Sequence, residues 1–284
     1  MTISTLYPLS PERIAAYHQD GFVMLPGLFA PDEIAPVQEA CRVDPDPGGR
    51  VVHVTDSDGG QQDLAGWSGD DADDLLGLMT RIARIVDGVQ ALIGEPIYHW
   101  HSKFSMKKPG SGGRWDWHQD FGSWYLEGCL RPAMTTCTVA VDPCDEDNGC
   151  MQLVKGSHLF GRLDHIAVGA SRGADPKRVE RAREQYETVS CIMAPGDGLF
   201  FHANTLHASG PNHSERPRSL LHFSYNAIAN DPVETTIPGH RYTPLTKAPD
   251  GAIREGAWNG VIATTAFFAP REDNPYGYTI RRAG

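Results

Sequence analysis

The chain has 284 residues and 40% apolar content, enough to bury a full core, and catalytic β domains of this size are usually single units. Its formal net charge of −11 comes without any basic stripe, so neither nucleic acid nor an anionic membrane is expected as a partner. Six cysteines (Cys41, Cys129, Cys137, Cys144, Cys150, Cys191) lack C-x-x-C spacing, and no signal peptide or bilayer-spanning apolar run is read; reduced thiols in a cytoplasmic protein are expected.

Taken in chain order, Ser10 and Pro11 read as the N-cap and first residue of a helix, with Gly21 as the left-handed residue just past its end. Residues 11 to 41 hold two short helices around a strand, Phe22 to Leu25. From Asp44 to Asp73 the chain is rich in Gly and Asp and lacks periodicity, which predicts a mobile surface loop able to fold over a pocket. Leu75 to Ile93 carries apolar residues at helical spacing and should pack as a buttress against a sheet, with Met79 in the core. Strands are expected from about residue 97, interrupted by a charged, solvated helix near Asp175 to Glu187. Pro195-Gly196-Asp197-Gly198 is a turn ahead of the apolar strand Leu199 to Phe201, and Ser219 to Tyr225 is a further strand.

No internal repeat appears. Short strands alternating with Gly/Pro turns predict a mainly β domain with flanking α-helices, a double-stranded β-helix (jelly roll, cupin-like) open at one end. A single domain spanning 1–284 is expected, with helical decoration to about 95, a catalytic β core from about 96 to 230, and a C-terminal extension over 231–284.

The chemistry concentrates at His118-Gln119-Asp120, His207 and Arg218. Two histidines and one carboxylate on one face of a mononuclear site bind Fe(II) and leave three positions open, which a bidentate 2-oxo acid and O2 fill. A strand repeats every two residues, so His118 and Asp120 are expected to project to one side, with the third ligand supplied by a distant strand. A second copy, His18-Gln19-Asp20, closes the first predicted helix and is read as non-functional surface. His118 instead follows a Gly-rich loop, Pro109 to Gly113, and the aromatic pair Trp115 and Trp117.

Together these residues resemble the phytanoyl-CoA dioxygenase family of Fe(II)/2-oxoglutarate oxygenases. That family's pattern is His-x-Asp, a Gly-Asp turn, then a His followed eleven residues later by an Arg that pairs with the 2-oxoglutarate carboxylate; His207 and Arg218 have this spacing. The resemblance implies iron on His118, Asp120 and His207, and O2 beside it. It implies 2-oxoglutarate on Arg218, whose planar fork suits a carboxylate, with Ser209, Ser105 and one of Lys107 and Lys108 close by. Lys108 is the one taken for that role. Arg216 is read as a surface charge, and His202 as a hydrogen-bond donor near the iron site.

Within the family, Tyr98 to Gly110, Trp117 to Trp124, Gly156-Ser157-His158 and Tyr225-Asn226-Ala227 run parallel to ectoine hydroxylase-like members, although His101 and Ser105 stand where those carry Gln and Asn. The implied reaction couples decarboxylation of 2-oxoglutarate to hydroxylation of an unactivated C–H bond. His101, Lys103, Trp124 and Tyr125 are expected to face the substrate, a small polar metabolite or natural-product intermediate. An acidic chain fits a CoA thioester poorly, and Asp120 leaves no open halide position, so halogenation is not expected. Two alternatives stay open: desaturation, cyclisation or epimerisation by the same family chemistry, and a non-catalytic cupin-like metal- or ligand-binding protein. Monomer and homodimer are equally compatible with the sequence.

Overall fold

A computed structural model describes residues 9–43, 51–56, 58–67, 74–110, 113–168, 171–233, 241–256 and 281–282. The chain opens with helix α1 (Pro11–Asp20), strand β1 (Phe22–Leu25) and helix α2 (Pro31–Val43). Ser10 Oγ accepts the Arg13 N–H, and Gly21 leaves α1 at φ 83°, so both predicted ends are where capping chemistry puts them. Next come β2 (Val52–Thr55) and β3 (Gln61–Trp67), then α3 (Leu75–Arg81) and α4 (Ala83–Ile93). The central run holds β4 (Ile97–Lys107), β5 (Trp115–His118), the short helix α5 (Asp120–Trp124), β6 (Met134–Ala140) and β7 (Met151–Val154). A hairpin of β8 (His165–Val168) and β9 (Ser171–Ala174) leads into α6 (Pro176–Gln185). β10 (Thr188–Ser190), β11 (Gly198–His202), β12 (His207–Ser209) and β13 (Arg218–Ala227) follow.

The large sheet runs β1-β11-β6-β13-β4-β3-β2, extended at its far edge by Arg281–Arg282, and a second sheet runs β10-β7-β12-β5. Their pairings are antiparallel. Met151 and Leu153 of the small sheet pack on Leu199, Phe201 and Leu220 of the large one, so the two sheets close on a shared interior. The expected double-stranded β-helix with flanking helices is the observed fold.

Alternation along β13 separates two environments. Leu221, Phe223 and Tyr225 join the layer formed with Tyr17, Val37, Leu75, Met79, Ile85 and Val89 of the helices, where each fully buried large side chain is worth about 1.5–3 kcal/mol. Arg218, Leu220, His222 and Ser224 carry the opposite parity and face the interior. A bulge in β4, where Ser224 pairs with His101 and Tyr225 with His99, skips Trp100. Trp100 therefore joins Tyr98, Phe121, Trp124 and Met134 in a separate apolar cluster at the end of the barrel.

Two expectations change. The stretch of helical spacing over Leu75 to Ile93 forms two helices rather than an unbroken run, interrupted at Ile82, which is extended (φ −56°, ψ 129°). Its neighbours are captured by the chain near Ala248: Ala83 N–H donates to Ala248 O at 2.9 Å and Ala248 N–H to Arg81 O at 2.8 Å. These tertiary bonds replace the helical ones, and no local signal encodes them. The segment 44–73, expected as a loop, contributes β2 and β3, which pair with each other and extend the large sheet through β4. Val52, Val54 and Leu64 bury one face there, and that gain outweighs the segment's poor strand composition. Residues 44–50, 57 and 68–73 of that segment lie outside the described residues.

Candidate active site

β5 and β12 lie side by side with His118 opposite His207 in register, which sets their ring centroids 4.1 Å apart. His118 Nδ1 lies 2.8 Å from the Asp116 carbonyl and His207 Nδ1 lies 2.9 Å from the Thr205 carbonyl. Each Nδ1–H thus donates to backbone, and each Nε2 is left as a lone-pair donor for a metal. His118 Nε2 is 3.9 Å from Asp120 Oδ1, and ligand atoms from His118, Asp120 and His207 all lie within 4.8 Å of one another. Two imidazole nitrogens and a carboxylate held this way fit a six-coordinate iron with three positions open.

Asp120 reaches this position differently from the strand expectation. β5 ends at His118, Gln119 turns the chain, and Asp120 is the first residue of α5. The corner is tied by Gln119, whose side chain donates to the carbonyls of Gly161 (2.9 Å) and Asn204 (2.7 Å) and accepts the Leu163 N–H (2.7 Å). Its own backbone N–H donates to His165 Nε2 at 2.9 Å, leaving His165 Nδ1–H for the Leu163 carbonyl. Neither Gln119 nor His165 was expected to matter. The only sequence signal was a polar residue inside the ligand motif.

The charge states favour metal capture. Burial and the neighbouring His207 push His118 down to about 3, so the ring is neutral. Burial also lowers His207. For Asp120, burial favours the neutral acid, but His207, Lys103, His118 and His222 outweigh it and hold the carboxyl below its ordinary range. Thr136 Oγ donates to Asp120 Oδ2 at 3.4 Å.

Two basic side chains are buried in the barrel. Arg218 and Lys107 are register partners on β13 and β4 and are each only 1% exposed. Lys107 Nζ donates to Ser209 Oγ at 2.8 Å and to the Gly210 carbonyl. Arg218 Nη1 donates to Ser105 Oγ at 2.9 Å, whereas its buried Nε has no partner among the described residues. No carboxylate forms an ion pair with either cation among the described residues. Burial, with Arg218 beside it, drives Lys107 well below its ordinary pKa. A buried cation pair with an unfilled guanidinium edge fits a dianionic co-substrate.

The remaining expected residues divide. Lys108 points outward, 73% exposed, and pairs with Asp63 at 2.8 Å. The inward lysine is Lys107, because it shares the parity of His101, Lys103 and Ser105 on β4. Lys103 is close enough to affect the protonation of His118, Asp120, His207 and His222. Ser105 is occupied by Arg218 and His222, and Ser209 by Lys107. Trp124 is 2% exposed and packs as core, edge-on to Trp100 and His101. Tyr125 is 44% exposed under the Arg162 guanidinium. His202 is not beside the iron site. With Leu199 and Phe201 turned inward, parity sends it out to Tyr17 and His158, whose rings lie 6.4 and 5.5 Å away. His18, in the decoy motif, is exposed in the last turn of α1, where its carbonyl lies 3.0 Å from His158 Nε2.

An antiparallel double-stranded β-helix gathering two histidines and a carboxylate above a buried cationic pocket defines a non-haem iron oxygenase. The phytanoyl-CoA dioxygenase (PhyH) family model matches residues 17–220. The chain belongs to that family and is a dioxygenase dependent on Fe(II), 2-oxoglutarate and O2. It is 28% identical over 238 residues to the ectoine dioxygenase of Bordetella bronchiseptica, covering 78% of this chain and 77% of the relative. It is 25% identical over 252 residues to the L-proline trans-4-hydroxylase of Streptomyces griseoviridis, covering 83% and 93%. The crystal structure of EctD from S. alaskensis with bound Fe superposes with a TM-score of 0.70 at 22% identity, covering 87% of this chain and 90% of that one, a likeness of fold.

Proposed function

We propose that this enzyme hydroxylates an unactivated C–H bond of a small polar metabolite, with iron on His118, Asp120 and His207 and 2-oxoglutarate on Arg218, Lys107 and Ser209. The observation that carries the reading is the Lys107–Arg218 pair, two buried basic side chains near the candidate metal triad, with no carboxylate in an ion pair with either among the described residues. Iron with 2-oxoglutarate and O2 supplies C–H oxidation coupled to release of succinate and CO2. The chain's own residues bind and orient. Arg218 offers its free edge to one carboxylate of the co-substrate, Lys107 adds charge beside it, and Thr136 and the ring tautomers of His118 and His207 hold the ligands in place.

Lys103, near enough to act on the charge of His118, Asp120 and His207, supports a substrate bearing an anionic or zwitterionic group over a fatty acyl chain. Two relatives are named for ectoine and L-proline, small polar molecules of this kind. We place the enzyme in the cytoplasm. All six cysteines are free thiols, five of them buried, and no helix among the described residues is long and apolar enough to cross a membrane. The test is anaerobic addition of Fe(II) and 2-oxoglutarate, read by the weak visible charge-transfer band, followed by a metabolite screen for substrate-stimulated succinate. The band and a stimulating small polar metabolite are expected, and absence of both overturns the reading in favour of a binding protein.

A further inference from the structure

His222 lies four residues beyond Arg218 on β13, on the strand face of Arg218 and Leu220, half-buried and near enough to Asp120 to bear on its charge. Its Nδ1 is 2.8 Å from Thr138 Oγ and its Nε2 is 3.1 Å from Ser105 Oγ. The same Ser105 oxygen accepts Arg218 Nη1 at 2.9 Å. A hydrogen-bonded series therefore runs from Thr138 on β6, through His222 on β13 and Ser105 on β4, back to Arg218 on β13.

We infer that His222 is a positioning residue for the co-substrate, fixing through Ser105 which edge of the Arg218 guanidinium faces the 2-oxoglutarate carboxylate. The inference rests on the co-substrate reading above. A guanidinium has donors only, so Ser105 Oγ accepts from Arg218 whatever else it does. A neutral imidazole carries one ring proton. Either Nδ1–H donates to Thr138 while the Ser105 hydroxyl donates to Nε2, or Nε2–H donates to Ser105 while the Thr138 hydroxyl donates to Nδ1. In both arrangements the Ser105 oxygen is pinned between ring and guanidinium.

The consequence falls on Arg218. With Nη1 committed to Ser105, the edge formed by Nε and Nη2 is the one left for a bidentate carboxylate, and Nε is the buried nitrogen without a partner among the described residues. Without the imidazole, Ser105 can turn to another rotamer and the guanidinium can swing about its last torsion. Binding must then supply the lost order, and preorganisation of this kind is worth about tenfold in affinity. Simple space-filling would not require a histidine with both ring nitrogens engaged by side-chain hydroxyls of two other strands.

The experiment titrates 2-oxoglutarate calorimetrically into Fe(II)-loaded protein under anaerobic conditions, with Tm and Fe(II) affinity measured alongside. Wild type is compared with His222→Phe, His222→Gln, Ser105→Ala and the His222→Phe/Ser105→Ala double variant. His222→Phe should raise the Kd for 2-oxoglutarate about tenfold with Fe(II) affinity unchanged. His222→Gln should recover most of the loss, because its amide can still donate to Ser105. The double variant should be no worse than the weaker single variant, since both break one series. Binding left unchanged by His222→Phe, or losses that add in the double variant, overturn the inference while leaving the co-substrate reading standing. Should His222→Phe fail to fold, the Ser105→Ala and His222→Gln arms decide: a full loss in Gln with none in Ala is equally fatal to it. A wild-type protein that binds no 2-oxoglutarate overturns the co-substrate reading, and this inference with it.

Discussion

Lys107 and Arg218 stand directly opposite each other on neighbouring strands, both buried, where like charges across a strand pair repel. Such a pair is tolerated when an anion completes it. Lys107→Met should therefore weaken 2-oxoglutarate binding by roughly tenfold or more, whereas Lys108→Met, which removes an exposed partner of Asp63, should leave it unchanged. Equilibrium titration of the two variants separates the neighbouring lysines, and a loss confined to Lys108→Met would reverse the assignment.

The two arginines of the Arg-Pro-Arg segment make a second contrast. Arg216 is half exposed and bonded to Asp145 at 2.7 Å, while Arg218 is buried. Removing a charge that pairs with a desolvated carboxylate costs roughly 2–5 kcal/mol, so Arg218→Ala should weaken 2-oxoglutarate binding about 30-fold or more with iron retained. Arg216→Ala should leave both 2-oxoglutarate binding and iron unchanged, and the opposite outcome in the same titration would shift the register by two residues.

For the metal, His118→Ala and Asp120→Ala should abolish iron-dependent turnover and lower bound iron measured by elemental analysis. His18→Ala, on the outside of α1, should leave both nearly intact. A folded but dead His18→Ala protein would make the decoy motif the real one.

Trp124 is packed against Trp100 and His101 at 2% exposure, so its truncation opens a core cavity. Trp124→Ala should cost about 3–5 kcal/mol of stability, read as a large drop in Tm. Unchanged Tm with altered substrate response would instead return Trp124 to the substrate-facing role.

Acid should destabilise the fold through its half-buried histidines. Burial, with His158 and His18 nearby, lowers His202 to about 4, and burial lowers His165 to about 4 and His222 to about 3. Unfolded, each would titrate near 6.5. The unfolded chain therefore binds more protons below that pH, and stability present above about 6.5 is lost progressively as pH falls toward 4. Each such group contributes up to about 3 kcal/mol by the low end. Tm against pH should show this fall, and His202→Gln should shallow it; a slope identical to wild type would remove His202 as a contributor.

By itself, the sequence determined whatever rests on local chemistry or fixed spacing. The caps of α1, the turn before Leu199, the division of the candidate metal group between His118-Gln119-Asp120 and a distant His207, and the eleven-residue step to Arg218 are all properties of short segments. Parity was also legible. His101, Lys103 and Ser105 expected inward imply Lys107 inward and Lys108 outward, and Arg218 inward implies His222 inward, while an inward Phe201 sends His202 away. Tertiary structure decided what depends on partners far along the chain. Ile82 breaks a helix because residues near Ala248 bond its flanks, and residues 52–67 become strands because β4 offers them an edge. Asp120 turns toward His118 and His207 because carbonyls at 161 and 204 hold the Gln119 amide. Each is an exchange of local hydrogen bonds for distant ones, and a sequence window contains only one side of it.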